Sequence, residues 1–153
     1  MIIQNHINSH REQASLSITM YYDDACVICS TEAHNMRRRQ PEKIRLVPVE
    51  KGLDELAVAG FSREDAMTYM CIKDRYGNWY THMDAIRLLY KVGGVTGSSL
   101  LFLPVIKQFG DFMYPYVARN RYKIPNWVTR TIYGKTLTPA CKNGVCKITP
   151  DKR

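Results

Sequence analysis

The stretch LSITMYYDDACVICSTEAHNMRRR, residues 16–39, decides the fold of this chain. Residues 16–22 are rich in side chains that favour β-strands. From Cys26 onward the pattern favours a helix, and the arginines at 37–39 fall in its last turn, where cations oppose the negative end of the helix dipole. Two cysteines separated by two residues, Cys26 and Cys29, therefore stand where a predicted strand leads into a predicted helix.

Further strands are predicted downstream. Residues 44–50, IRLVPVE, read as a second strand, and Pro48 favours an edge position or a bulge because it cannot donate to a ladder. The stretches AMTYMCIKD (66–74) and NWYTHM (78–83), which flank the tight turn RYG, predict an antiparallel pair.

Helices separate and follow these strands. Short helices are expected over residues 52–60 and from Ser62, where acidic residues follow a good N-cap. A helix over 83–92 should end at the two glycines that follow it. The chain then looks helical to about residue 133, with interruptions expected at Pro104, Pro115 and Pro125.

This order, β-α-β-α-β-β-α with extra helices, predicts an α/β domain. A strand, a helix and a strand in succession imply a parallel pair, and the tight turn implies an antiparallel pair. The expected architecture is a thioredoxin-like small mixed sheet flanked by helices, with additional C-terminal helices. We assign residues 1–15 to an N-terminal extension, 16–133 to this domain and 134–153 to a flexible tail that contains cysteines.

Length and composition narrow the class of protein. The 153 residues match one typical domain, and 45% hydrophobic with 24% charged residues is ordinary for a globular protein. The most apolar run, SSLLFLPVIKQFG, is too short to cross a bilayer, and the N-terminus lacks the features of a secretory signal. We therefore expect a cytoplasmic protein without a membrane span, where close cysteine pairs favour redox chemistry or metal binding.

The net charge of +8 lies entirely in the last third of the chain. Residues 1–106 carry 12 basic and 12 acidic side chains, whereas residues 107–153 carry 10 and 2. This excess favours either an anionic partner or a solvated basic face. Because the basic residues are spread out and match no recognised motif, no specific nucleic-acid partner is expected.

The spacing of Cys26 and Cys29 suits thiol–disulfide exchange. Unpaired N–H groups at a helix start stabilise a thiolate, which is the form that attacks a disulfide. Cys26 would be the attacking thiolate, more exposed and more acidic, and Cys29, one turn later, the resolving thiol. Asp24 would raise the thiol pKa by repulsion, cap the helix, or take a proton from Cys29.

Three more cysteines need separate interpretations. Cys71 lies in a strand pattern and is expected to pack in the core. Cys141 and Cys146 flank an Asn-Gly turn. They could be exposed and reduced, form a second exchangeable disulfide, or join Cys26 and Cys29 in a four-thiolate zinc site.

The sequence resembles the DCC family (DUF393) of thiol-disulfide oxidoreductases. The resemblance rests on a strand, then Asp24-x-Cys26-x-x-Cys29, then a helix ending in basic residues, and on ARNRY, residues 118–122. It implies a thioredoxin-like fold and a dithiol site at Cys26 and Cys29. It also implies that Asp24 and the 119–122 segment, with Arg119, Arg121 and Tyr122, support that site. Where the family often has glycine, this chain has Asp23.

Three functions remain open from the sequence. The first is a cytoplasmic dithiol–disulfide oxidoreductase that acts on a protein or small-molecule thiol or disulfide and needs no cofactor or metal. The second is a binding or redox-sensing module that uses the basic C-terminal face. The third is a zinc-stabilised structural domain. The sequence makes no prediction of the oligomeric state.

Overall fold

The computed structural model describes residues 18–134, 141–142 and 145–146. The expected N-terminal extension, 1–15, and most of the expected tail, 134–153, lie outside these residues. The helices and strands are, in chain order, β1 (Ile18–Tyr22), α1 (Val27–Arg39), β2 (Ile44–Pro48), α2 (Leu53–Val58), α3 (Arg63–Thr68), β3 (Cys71–Asp74), β4 (Trp79–Thr81), α4 (His82–Val92), α5 (Pro104–Asn120), α6 (Asn126–Tyr133), β5 (Cys141–Lys142) and β6 (Val145–Cys146). Short 3₁₀ turns lie at Val49–Lys51, Ser98–Phe102 and Arg121–Lys123.

Four of the strands form one mixed sheet in the order β2-β1-β3-β4. Strand β1 runs parallel to β2 and antiparallel to β3, and β3 is antiparallel to β4. Pro48 ends β2, which is an edge strand, as its missing N–H requires. This α/β arrangement, with helices around the sheet and more helices at its C-terminal side, confirms the predicted thioredoxin-like fold.

The core lies on both faces of this sheet. Side chains alternate along a strand, so Met20 belongs to one buried cluster and Tyr21 to the other. The first cluster includes Met36 of α1 and Leu89 of α4, and the second includes Leu56 of α2. Helices therefore cover both sides of β1 and fix the position of its C-terminal end.

Residues 66–68 are helical, and the prediction of a strand there is wrong. They form the end of α3. Ser62 and Asp65 make a complete capping box, in which the Ser62 side chain accepts from the Asp65 N–H and the Asp65 carboxylate accepts from the Ser62 N–H. This cap stabilises the helix at its start, so β3 begins only at Cys71.

Pro115 does not interrupt the C-terminal helix as the sequence predicted. It lies inside α5, which is continuous over 17 residues. Contacts on both sides of the proline hold the helix in place: Tyr114 accepts a hydrogen bond from the Met70 N–H at 3.0 Å, and Ala118 is buried. These contacts offset the hydrogen bond that proline cannot make. The expected breaks at Pro104 and Pro125 are confirmed, because a helix starts at or just after each of them.

Arg87 joins α4 to the segment that leads into α5. Its guanidinium donates to the Leu101 carbonyl at 3.0 Å and to the Lys107 carbonyl at 3.2 Å. It also pairs with Asp84 and Asp111, although the Arg87 side chain is only 3% exposed. This buried cation fixes where α5 begins relative to α4.

Strands β5 and β6 form a second, two-stranded antiparallel sheet. Cys141 is the direct partner of Cys146 in this pair.

Among the described residues, no helix combines the length and the apolar character needed to cross a bilayer.

Candidate active site

Cys26 is the N-cap residue of α1. Its backbone is extended, and its Sγ accepts a hydrogen bond from the Cys29 N–H at 3.4 Å. The Cys26 carbonyl accepts the Ser30 N–H at 2.9 Å, which begins the helical ladder. The sulfur of Cys26 thus occupies the position of an N-capping oxygen, against the positive end of the helix dipole.

This position separates the acidities of the two thiols. A hydrogen bond from the Cys29 side chain lowers the pKa of Cys26 to about 7, with help from the Cys29 N–H and the charge of Arg121, and against the effect of burial. The same hydrogen bond and burial raise the pKa of Cys29 far above its ordinary value. The expectation that Cys26 is the more acidic thiol therefore agrees with the structure.

The expectation that the Cys26 thiol is the more exposed one is wrong. Only 3% of the Cys26 surface is accessible, whereas Cys29 is half-buried. The β1–α1 loop accounts for this difference, because the Cys26 N–H donates to the Asp23 carbonyl at 3.3 Å and keeps the cysteine close to the end of the sheet.

Asp23 organises that loop. Its Oδ1 accepts the Ala25 N–H at 3.0 Å, and its Oδ2 accepts from Arg121 at 2.9 Å and from the Tyr122 hydroxyl. The residue is 3% exposed. A buried carboxylate requires such partners, and here both oxygens have them.

Arg121 brings the C-terminal helices to the thiol site. It lies in the 3₁₀ turn after α5, and its side chain is 10% exposed. Besides Asp23, it donates to the carbonyls of Met67 and Thr68, in the last turn of α3. Those carbonyls have no partner within the helix, so Arg121 caps α3 while placing a positive charge near both cysteines.

The structure places the supporting residues that the resemblance implied in different positions. Arg121 and Tyr122 reach the loop beside Cys26 through Asp23. Asp24 lies outside this cluster and acts electrostatically on Tyr22. Arg119 is exposed at the end of α5 and lines a shallow surface pocket that includes Arg121.

The sequence interpretation missed Asp23. Its one signal was that aspartate stands where the family often has glycine. The direction of the side chain depends on the turn after β1, which the sequence does not specify.

A mostly apolar cavity of about 220 Å³ lies behind Cys29. Its polar lining includes Asp23, Glu32, Arg121 and several tyrosines, and its apolar lining includes Met20, Met67 and Met70. Cys26 is not among its lining residues. The cavity therefore contacts Cys29 and not the more acidic Cys26.

Glu32 was also missed by the sequence interpretation. It follows Cys29 by three residues on α1, and its Oε1 is buried without a hydrogen-bond partner among the described residues. Burial and the neighbouring Glu32 carboxylate raise the pKa of Tyr90 and of Tyr133. The available signal was this spacing, because residues three apart lie side by side on a helix.

The other cysteines lie apart from this pair. Cys71 is buried in the core of the sheet, and burial raises its pKa to about 12. The side chains of Cys141 and Cys146 lie outside the described part of the chain. Within that part, no group of three or more His, Cys, Asp or Glu side chains is placed to hold a metal ion.

A model of the family described as DCC1-like thiol-disulfide oxidoreductase matches residues 20–127. This range contains the Cys26–Cys29 pair, Asp23 and Arg121. No curated protein and no solved structure matches the chain. With well over half of its length matched by the family model, the chain belongs to the DCC1-like thiol-disulfide oxidoreductase family.

Proposed function

We propose that this protein is a dithiol–disulfide oxidoreductase in which Cys26 is the attacking thiolate and Cys29 the resolving thiol. The observation that carries the proposal is the N-cap position of Cys26, whose sulfur accepts the Cys29 N–H at 3.4 Å. With a pKa of about 7, Cys26 is substantially ionised at neutral pH. Cys29 remains protonated until its turn in the reaction.

The exchange takes place in two balanced steps. In the first, the Cys26 thiolate attacks one sulfur of a substrate disulfide, forms a mixed disulfide and releases the other sulfur as a thiolate. In the second, Cys29 loses its proton and attacks the Cys26 sulfur, which expels the remaining substrate thiolate. The substrate disulfide gains two electrons, and the Cys26–Cys29 pair loses two and becomes a disulfide.

This chemistry uses only the two sulfurs of the chain and those of the partner. The proposal therefore includes no cofactor, and its substrate is a protein or small-molecule thiol or disulfide. It also keeps the expectation of a cytoplasmic setting, where thiols are held reduced and a CxxC pair can turn over. The direction of exchange then follows from the reduction potential of the pair relative to that of its partner.

The test is to trap the mixed disulfide. A Cys29→Ser variant should retain the first step and accumulate a covalent complex with a substrate disulfide, seen as a mass increase that dithiothreitol reverses. A Cys26→Ser variant should form no such complex at this site. Cys71→Ala is the matched control, because Cys71 is a buried thiol outside the proposed pair, and it should behave as the parent protein.

Two results would count against the proposal. One is covalent capture that survives in Cys26→Ser but is lost in Cys29→Ser, which would reverse the roles. The other is a purified protein that carries one zinc per chain and releases it when Cys26 is replaced, which would support the structural zinc site instead. A measurable Cys26–Cys29 reduction potential against glutathione would support the proposed oxidoreductase function.

A further inference from the structure

We propose that Glu32 accepts the proton that Cys29 must lose before it can resolve the mixed disulfide. This inference rests on the proposed function and adds a third group to the two cysteines. It arises from the buried Glu32 Oε1, which has no hydrogen-bond donor among the described residues and belongs to a side chain that shares a cavity with the resolving thiol.

The position of Glu32 follows from helix α1. Cys29 and Glu32 are three residues apart, so their side chains are neighbours on one helical face. Both line the same cavity of about 220 Å³ at the C-terminal end of β1. That volume is large enough to hold a water molecule between the thiol and the carboxylate. A proton can therefore pass from one group to the other within this shared cavity.

The other carboxylate that lines the cavity is less suited than Glu32 to accept this proton. Asp23 is the only other carboxylate in the lining given for the described residues, and both of its oxygens accept hydrogen bonds, from Ala25, Arg121 and Tyr122. Removing any of those bonds would disturb the loop that positions Cys26. Glu32 Oε1, in contrast, can accept a proton without breaking an existing hydrogen bond.

Four of the tyrosines that line the cavity have a raised pKa and cannot act as bases at neutral pH. Burial is the main cause of a raised pKa for Tyr22 from β1, Tyr90 from α4 and Tyr114 from α5. The same holds for Tyr133 from α6. Each therefore stays protonated. Tyr90 and Tyr133 lie against Glu32 and can donate to the carboxylate, which keeps it directed into the cavity.

Arg121 contributes the positive charge of the same cavity. Its Nε is buried without a partner among the described residues. Its charge lowers the pKa of both cysteines, against the larger effects that raise the pKa of Cys29. Proton transfer to Glu32 would therefore leave the Cys29 thiolate facing a fixed cation, which favours the transfer.

The resolving step can then be written in full. The proton leaves Cys29 Sγ for Glu32 Oε1, directly or through one water molecule. The Cys29 sulfur forms a bond with the Cys26 sulfur while the bond from Cys26 to the substrate sulfur breaks. The substrate thiolate leaves with that electron pair, and Glu32 returns its proton to the departing thiolate or to solvent.

A chromogenic aromatic disulfide separates the two steps. With 5,5′-dithiobis(2-nitrobenzoate), the first step releases one coloured thiolate and the second step releases the other, as two absorbance phases of equal size. The experiment uses the reduced full-length chain with Cys141 and Cys146 replaced by serine, so that the tail adds no signal. In this background Glu32→Gln is compared with Glu42→Gln, which removes the same charge from an exposed position after α1.

We expect Glu32→Gln to leave the first phase unchanged and to slow the second phase about 100-fold at pH 7, within the range typical of a lost general base. The slowed phase should then rise about tenfold per pH unit, because hydroxide replaces the missing acceptor. Glu32→Asp, which keeps a shorter carboxylate, should recover part of the rate. Glu42→Gln should match the parent in both phases.

The outcomes distinguish this inference from the proposed function. Equal second phases in Glu32→Gln and the parent would overturn the role of Glu32 and leave the dithiol mechanism standing. An equal slowing of both phases, or no rescue by Glu32→Asp, would mean that Glu32 supports only the local structure. If the parent protein itself shows no first phase from Cys26, the proposed function fails.

Discussion

Arg121 and Asp23 form a buried ion pair across 98 residues of sequence, with 2.9 Å between Arg121 Nη2 and Asp23 Oδ2. Their side chains are 10% and 2% exposed. The pair joins the turn after α5 to the loop between β1 and α1, so the C-terminal helices and the thiol site form one packed unit. Removing one partner would leave the other as an uncompensated buried charge.

Replacing Arg121 should therefore destabilise the whole domain. We expect Arg121→Ala to lower the free energy of unfolding by about 3–5 kcal/mol, because Asp23 loses its cation and two carbonyls of α3 lose their donor. Urea denaturation followed by circular dichroism measures this change. Arg119→Ala is the matched control, since Arg119 is exposed two residues earlier, and it should change stability by no more than about 0.5 kcal/mol.

A double-mutant cycle tests whether Asp23 is the main partner. If it is, Asp23→Asn combined with Arg121→Ala should cost much less than the sum of the two single changes. If the two changes are simply additive, Asp23 is not the main partner of Arg121, and Arg121 stabilises the domain through its contacts with α3.

The acidity of Cys26 should depend on Cys29. Because the Cys29 side chain is the largest cause of the lowered pKa, Cys29→Ala should move the midpoint of Cys26 alkylation from about pH 7 toward the ordinary value of about 8.5. At pH 7 the rate should fall roughly tenfold, as most of the thiolate is lost. Iodoacetamide labelling against pH, read by mass spectrometry of the Cys26 peptide, gives both numbers.

Cys29→Ser serves as the comparison for this measurement. A serine hydroxyl can still donate to the Cys26 sulfur, so its midpoint should lie between those of the parent and the alanine variant. An unchanged midpoint in Cys29→Ala would mean that the helix start and Arg121 alone determine the acidity.

The sequence predicted the parts of the fold that depend on local pattern. The strand-rich run before Cys26 and the arginines that end α1 identify a β–α unit without reference to the rest of the chain. Residues 66–68 were misassigned because they were joined to the strand-forming run that follows them, whereas the Ser62–Asp65 capping box starts a helix that includes them. The prediction for Pro115 was wrong for a different reason, since the contacts that hold α5 on either side of it are tertiary.

The difference between local sequence pattern and tertiary contacts also explains which site residues could be predicted from the sequence. Cys26 and Cys29 follow from their spacing, but the partner of Asp23 lies 98 residues away. Only the family resemblance connected the 119–122 segment with the thiols, and it pointed to Asp24, whereas the carboxylate that accepts from Arg121 is that of Asp23. The spacing of Glu32 from Cys29 was a local signal, but its burial against Tyr90 and Tyr133 from distant helices could not be predicted from the sequence.

Cys71 should be inert in the native protein. It is 1% exposed, its Sγ donates to the Tyr69 carbonyl at 3.7 Å, and burial raises its pKa to about 12. Native labelling with N-ethylmaleimide at pH 7 should leave Cys71 unmodified, and labelling in urea should modify it. Native modification of Cys71 at a rate similar to that of Cys26 would show that the β3 region opens readily.

Arg87 should matter more to stability than an exposed arginine. Its side chain is 3% exposed and donates to two carbonyls and two carboxylates of α4, α5 and the segment between them. Arg87→Ala should therefore lower the free energy of unfolding by about 1–3 kcal/mol. Arg63→Ala breaks an exposed pair with Glu50 and should leave the urea midpoint unchanged. Equal midpoints for the two variants would contradict a structural role for the buried cation.

The tail cysteines should form their own disulfide under oxidising conditions. Cys141 and Cys146 are direct partners in an antiparallel pair, where Cα atoms lie about 4.5–5.5 Å apart. Disulfides need Cα atoms about 4.4–6.8 Å apart, so the bond can close without moving the backbone.

Trypsin cuts after Lys142 and Lys147, and the oxidised protein should therefore yield residues 136–142 and 143–147 as one linked species, two hydrogens lighter than the separate peptides. A Cys26→Ser, Cys29→Ser variant should give the same species, because this disulfide does not need the other pair. If the linked peptides appear only when Cys26 is present, the tail disulfide arises by exchange with the Cys26–Cys29 site.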